Sequence, residues 1–139
     1  MKLKTKKIEV LNIPIIHDPR GNLAVIEKEV VPFETKRVYY LFDVPSGSSR
    51  GGHAHKELSQ FLVALSGSFD VIIKIGEKTE KVTLNNPSRG LLITPCVWRE
   101  LENFSSGAVC LVVASDVYKE EDYICNFEEY LLYLSKNEL

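Results

Sequence analysis

Cysteine is scarce and poorly spaced for cross-linking: the 139-residue chain has three, Cys96, Cys110 and Cys125. An odd number with no C-x-x-C pair excludes a disulfide framework and fits structural thiols in a reducing, cytoplasmic setting. No apolar run approaches the roughly 20 residues of a membrane span. The basic start, Lys2, Lys4, Lys6 and Lys7, is followed by further charge and by Pro14, so no secretory core forms and the segment reads as a solvated arm. An excess of one charge is missing too. Seventeen Lys+Arg stand against nineteen Asp+Glu, which argues against a nucleic-acid binder. Eight Gly and six Pro are too few for a collagenous or low-complexity chain. There is no G-x-G-x-x-G loop for a dinucleotide, and no cofactor is expected.

What remains is an ordinary apolar content of 45% with no internal repeat or linker. That predicts one domain over residues 1–139, long enough to bury roughly 68% of its unfolded surface. Short strand-like runs alternate with turn signals, the pattern of an all-β sandwich or barrel. Strands are expected at Lys7–Ile16, Leu23–Val30, Lys36–Phe42, His53–Lys56, Gln60–Leu65, Ser68–Ile75 and Lys78–Leu84. Three more follow at Gly90–Thr94, Trp98–Phe104 and Ala108–Ser115. Asp18-Pro19-Arg20-Gly21-Asn22 is a turn, and Ser66-Gly67 and Gly76-Glu77 read as hairpin punctuation. The period then changes. Asn126 is placed to cap a short helix with Phe127, Tyr130, Leu131 and Leu134 on one face, packed on the barrel or on a partner.

The densest chemistry is Arg50-Gly51-Gly52-His53-Ala54-His55-Lys56. Residues two apart on a strand share a face, so the imidazoles would stand about 6.5–7 Å apart along one surface. The two glycines allow a backbone or ligand to approach closely. Such a pair can bind a metal or move protons near neutral pH. The third histidine, His17, sits beside the Asp18-Pro19 turn and reads as a surface residue.

Gly47, His53, His55 and Gly67 match the first motif of the cupin superfamily, G-x5-H-x-H-x(3,4)-E-x6-G, and the chain resembles that superfamily. The glutamate position holds Gln60. The second cupin motif survives only as Gly90, Pro95 and Asn103, with Trp98, Arg99 and Glu100 around the missing metal histidine. A neutral amide and a guanidinium are poor company for a divalent ion. The expected fold is therefore a cupin-type jelly-roll β-barrel with a short C-terminal helix and no metal.

Within that superfamily several strings resemble the dTDP-4-keto-6-deoxyglucose 3,4-ketoisomerases, relatives of the dTDP-sugar epimerases. They are Lys36-Arg37-Val38-Tyr39-Tyr40, Arg50 to Lys56, Pro95-Cys96-Val97-Trp98, Ala114-Ser115-Asp116-Val117-Tyr118 and Asp122-Tyr123-Ile124. The resemblance implies a homodimer that moves the keto group of a dTDP-linked 4-keto-6-deoxyhexose from C4 to C3, for 3-amino-3,6-dideoxyhexoses of surface glycans. Such a reaction needs a base, a second proton carrier and donors for an oxyanion. His53 and His55 meet the first two needs; Arg50 or a tyrosine meets the third. Strand parity places Arg37, Tyr39 and Leu41 on one face and the apolar Val38, Tyr40 and Phe42 on the other, which reads as packing. Tyr39 is thus the favoured hydroxyl and Tyr40 the runner-up. Arg37, Arg99, Arg20 and Arg50 are candidates for the diphosphate, with Gln60 and Trp98 as further substrate-binding positions. Some ketoisomerases carry His where Arg99 stands, and the position of Arg20 varies, so the C4 configuration of the product is left open. A 3,5-epimerase, a metal-dependent cupin and a non-catalytic cupin are the alternatives.

Overall fold

The computed structural model describes residues 8–137, so the basic N-terminal arm lies outside the described residues. The chain begins with β1 (Ile8–Asn12), β2 (Ile15–Asp18), β3 (Gly21–Ala24), β4 (Arg37–Leu41) and β5 (Arg50–His55). Next come β6 (Gln60–Ser66), β7 (Phe69–Ile75), β8 (Lys78–Leu84) and β9 (Arg89–Ile93). β10 (Trp98–Glu102), β11 (Val109–Ala114), a 3-10 turn at Glu120–Asp122, β12 (Tyr123–Ile124) and helix α1 (Phe127–Lys136) complete the order.

The first sheet runs β1-β9-β6-β11-β4 and the second β12-β5-β10-β7-β8. All of these pairings are antiparallel, and neighbours are mostly far apart in sequence. This is the jelly-roll arrangement, with one short C-terminal helix. The expected strand Lys7–Ile16 divides at Pro14, because proline has no N–H to continue a ladder. The N–H of Ile13 bonds instead to the carbonyl of Ser88 at 2.8 Å. Leu23–Val30 stops at Ala24, and β2 pairs with β3 as a separate hairpin. Gly76-Glu77 closes the β7–β8 hairpin as expected. Ser66-Gly67 does not make a hairpin, since β6 and β7 belong to different sheets and the turn carries the chain across.

Alternation along the strands sorts residues into three apolar layers. Leu62, Val71, Ile73, Leu91, Leu101 and Val112 meet between the sheets. Phe61, Val63, Leu92 and Val113 point away from that core and are covered by Ile13, Val30 and Val31. Ala54 and Trp98, on the outer face of the second sheet, lie under α1 against Tyr130 and Leu134. Asn126 caps α1 by accepting from the N–H of Glu129 at 3.0 Å, and the Tyr130 hydroxyl donates to the carbonyl of Cys96 at 2.9 Å. The helix therefore packs on the barrel. By fixing the segment just behind β12, it also fixes one wall of the site.

Candidate active site

A cavity of about 550 Å³ opens between the sheets, lined by Arg37, Tyr39, Arg50, His53, Gln60 and Arg99 among others. These residues come from β4, β5, β6 and β10, each from the inward set of its strand. Arg50 needs an extra device. It lies three residues from His53, and in a regular strand the two would face opposite ways. The β5–β10 register runs Arg99 opposite His53 but Leu101 opposite Arg50, so Gly51 and Gly52 together oppose one residue. Gly51 holds φ +95°. A side chain there would meet nothing nearer than 3.7 Å, so the dihedral, not crowding, calls for glycine. The glycine pair thus makes a bulge that returns Arg50 to the cavity side.

Two hydrogen-bonded chains converge on this cavity. In the first, the buried Arg99 donates from Nη1 to Oε1 of Gln60, and from Nη2 to the carbonyl of Val97 at 3.0 Å. That fixes the Gln60 amide, whose Nε2 donates to the Tyr39 hydroxyl at 3.1 Å. The hydroxyl accepts, so its own proton remains available. Burial raises the Tyr39 pKa, so the phenol stays protonated; burial lowers that of Arg99 only to about 10, so the guanidinium stays charged. Arg37 lies over the Tyr39 ring, 4.6 Å from its centroid, with its buried Nη1 lacking a partner.

In the second chain, Nε2 of His53 lies 3.0 Å from Nε2 of His55, and Nδ1 of His55 lies 3.0 Å from Oδ2 of Asp122. The rings are perpendicular, 4.7 Å between centroids, closer than strand spacing alone suggests. His53 lines the cavity, whereas His55 is fully buried behind it. Tyr123 lies against both rings, 5.0 Å from His53 and 4.4 Å from His55. Burial, and then the Arg99 cation, push both imidazoles far below the usual histidine range, so both are neutral at physiological pH.

Besides His55 behind it, three expected positions fall outside the cavity. Trp98 is on the outer face of β10, stacked edge-on to Phe127 and donating to Glu100 at 2.8 Å. It is core rather than substrate-binding, because Arg99 and Leu101 take the inward parity. Tyr40 faces away from the site and is 61% exposed; Val38 and Phe42 beside it are 56% and 59% exposed, so among the described residues nothing packs over this face. Arg20 sits on the β2–β3 hairpin with its side chain 90% exposed, bound to Asp18 at 2.7 Å. That contact holds the Asp18 carboxyl down to about 2. His17 is a surface residue, 2.9 Å from Asn22.

The sequence alone does not mark Asp122, Tyr123 or Cys125 as site residues, yet Tyr123 and Cys125 line the cavity and Asp122 holds His55. The string Asp122-Tyr123-Ile124 was visible, but nothing local ties it to a histidine 67 residues away. The site does not fit a divalent metal. Gln60 is already bonded to Arg99, the guanidinium takes the place of a further ligand, and no cluster of three His, Cys, Asp or Glu suited to an ion occurs among the described residues.

Fold and site together define a cupin-type jelly roll whose interior carries a fixed cation and a histidine pair. The family model described as FdtA: WxcM-like, C-terminal, matches residues 6–135, and the chain belongs to that family. It is 45% identical over 129 residues to the TDP-4-oxo-6-deoxy-alpha-D-glucose-3,4-oxoisomerase of Aneurinibacillus thermoaerophilus, covering 92% of this chain and 93% of that one. A His-to-Asn variant of the 3,4-ketoisomerase from Thermoanaerobacterium thermosaccharolyticum, solved with TDP-4-keto-6-deoxyglucose, superposes with a TM-score of 0.91 at 41% identity, covering 95% of this chain and 96% of that one. The TDP-quinovose 3,4-ketoisomerase of Campylobacter jejuni superposes with a TM-score of 0.88 at 48% identity, covering 92% and 99%.

Proposed function

We propose that the chain is a sugar-nucleotide 3,4-ketoisomerase acting on a dTDP-linked 4-keto-6-deoxyhexose, as one domain over its whole length. The observation that carries this reading is the His53–His55 pair at 3.0 Å, in a cavity that also receives the Tyr39 hydroxyl. His53 removes the proton at C3, and the C–H electrons form a C3–C4 double bond as charge moves to the C4 oxygen. Tyr39 and Arg50 donate to that oxygen, replacing water with fixed donors. The C4 oxygen takes up a proton as the C3 hydroxyl gives one up, and delivery of a proton to C4 completes the exchange. C3 is oxidised and C4 reduced within one molecule, so no external oxidant or reductant enters the balance.

His55 takes up and returns the proton passed through His53. Arg37 is suited to the diphosphate, since a guanidinium pairs bidentately with phosphate oxygens and its Nη1 is uncommitted. The exposed apolar face Val38, Tyr40 and Phe42 on β4, an edge strand, fits a second copy of the chain, and sedimentation equilibrium should give a dimer mass. Among the described residues no helix is long and apolar enough to cross a membrane, and the three free thiols suit a reducing, cytoplasmic setting.

Proton NMR of the protein with dTDP-4-keto-6-deoxyglucose in deuterated buffer containing EDTA tests the reading. A 3-keto product carrying deuterium at C4 is expected. Deuterium at C3 and C5 with the 4-ketone retained would make the protein an epimerase instead, and no change would remove this substrate.

A further inference from the structure

We propose that Asp122 is a positioning residue that sets the tautomers of both histidines, leaving Nδ1 of His53 as the basic atom. The proposal rests on the functional reading above for its kinetic consequence but not for its chemistry.

Asp122 is held from every side. β12 pairs with β5 so that Tyr123 lies opposite His55. The carbonyl of Asp122 accepts from the N–H of Lys56 at 3.0 Å, and its own N–H donates to the carbonyl of Lys119 at 3.0 Å. In the side chain, Oδ1 accepts from the N–H of Glu57 at 2.8 Å, which turns Oδ2 to His55. A carboxylate only accepts, so Nδ1 of His55 must be the N–H. Its ring is neutral, so Nε2 carries a lone pair and accepts from His53. The proton between the rings therefore belongs to Nε2 of His53, and Nδ1 of His53 is left unprotonated. When His53 gains a proton at Nδ1, the Nε2 proton can pass to His55, whose positive charge then faces the carboxylate. Asp122 does not line the cavity, so it does this without touching substrate.

The substitution Asp122→Asn reverses the pattern while keeping the shape. The backbone N–H of Glu57 still requires an oxygen, so the new amide turns its NH₂ to His55. Nδ1 of His55 must then accept, its proton moves to Nε2, and His53 must accept there and carry its own proton on Nδ1. The base is thereby blocked. We expect kcat to fall by about 10³–10⁴-fold, the loss typical of a wrong-tautomer histidine. KM and dTDP affinity should stay within about threefold, since ground-state binding is untouched.

Nitrogen-15 NMR of the histidine rings reads the tautomers directly, with His17→Gln used to assign the third ring. The wild type should show Nδ1–H on His55 and Nε2–H on His53, and the variant the reverse. The opposite tautomers in the wild type, or a folded Asp122→Asn protein with wild-type kcat, would overturn the proposal. If the variant does not fold, the wild-type spectrum decides alone. If the wild type shows the expected tautomers but does not convert the sugar, the functional reading fails and the assignment to Asp122 stands.

Discussion

The two chains of hydrogen bonds that reach the cavity are built alike and end oppositely. Arg99–Gln60–Tyr39 starts from a buried cation and presents a hydroxyl proton. Asp122–His55–His53 starts from a carboxylate and presents a ring nitrogen with a lone pair. In each, a charge at the far end orients a neutral group that orients the next, so polarity is passed along the chain to a neutral group at its end. Enolisation needs such a pair: a donor for the carbonyl oxygen and an acceptor for the adjacent proton. The chains differ in mobility. The first has no group that changes protonation near neutral pH and works as a fixed dipole. The second is two imidazoles sharing one proton, and can carry it.

Breaking the mobile chain should have the largest effect. His53→Asn removes the acceptor but keeps a side chain of similar width and polarity. We expect kcat to fall by about 10⁴-fold, the upper range for a general base, with dTDP affinity and the far-ultraviolet circular dichroism spectrum unchanged. Full activity in that variant would end the base assignment. Removing the donor at the end of the fixed chain should cost less. Tyr39→Phe keeps the ring under Arg37 and deletes only the hydroxyl, so a loss of about 10²-fold is expected, the lower range for one oxyanion donor. A loss as deep as that of His53→Asn would show that Tyr39 transfers a proton, and the contrast between the chains would fail.

Interrupting the fixed chain one step back is milder still. Gln60→Leu leaves Tyr39 in place and frees its hydroxyl to rotate, so kcat should fall about tenfold, equivalent to roughly 1.4 kcal/mol at the barrier. The same variant leaves the Nη1 of Arg99 buried without its acceptor, which should cost about 1–3 kcal/mol of stability, read as a lower urea midpoint.

Much of this is legible in the sequence. Two-residue periodicity on β4 separates Tyr39 from Tyr40, and the H-x-H spacing puts both imidazoles on one face, because side-chain direction in a strand is a local property. The exchange of Glu for Gln60 and of His for Arg99 was equally visible. What was missed depends on distance or on the partner strand. Asp122 meets His55 only because a two-residue strand pairs with β5, and two residues carry no periodicity. The bulge at Gly51-Gly52 exists only relative to β10. The face of Val38, Tyr40 and Phe42 was misread because apolar pattern says that a surface is to be covered, not whether the same chain covers it.

The smallest predicted effect lies in stability and separates the chains by pH. Both histidines are held down from 6.5 to about 2 in the folded state. Above pH 6.5 they are neutral folded or unfolded and contribute nothing to the pH slope. As pH falls from 6.5 towards 2, the unfolded chain binds protons that the native site refuses, so stability is lost across that window. The lowered carboxylates Asp18, Asp70 and Asp116 add their share only as pH drops towards and below 3.8, which leaves the interval from 6.5 to 5 to the histidines. Tyr39 behaves in the opposite sense. Its pKa is raised by burial, so the unfolded phenol ionises first and stability is lost as pH rises beyond 10. Thermal unfolding of the wild type should therefore show a falling Tm from pH 6.5 to 5, a slope absent in the double variant His53→Asn, His55→Gln and unchanged in Tyr39→Phe. A wild-type Tm that holds steady to pH 5 would mean that the histidines accept protons in the folded protein, and the mobile chain would then rest with a charge on it rather than acquire one during turnover.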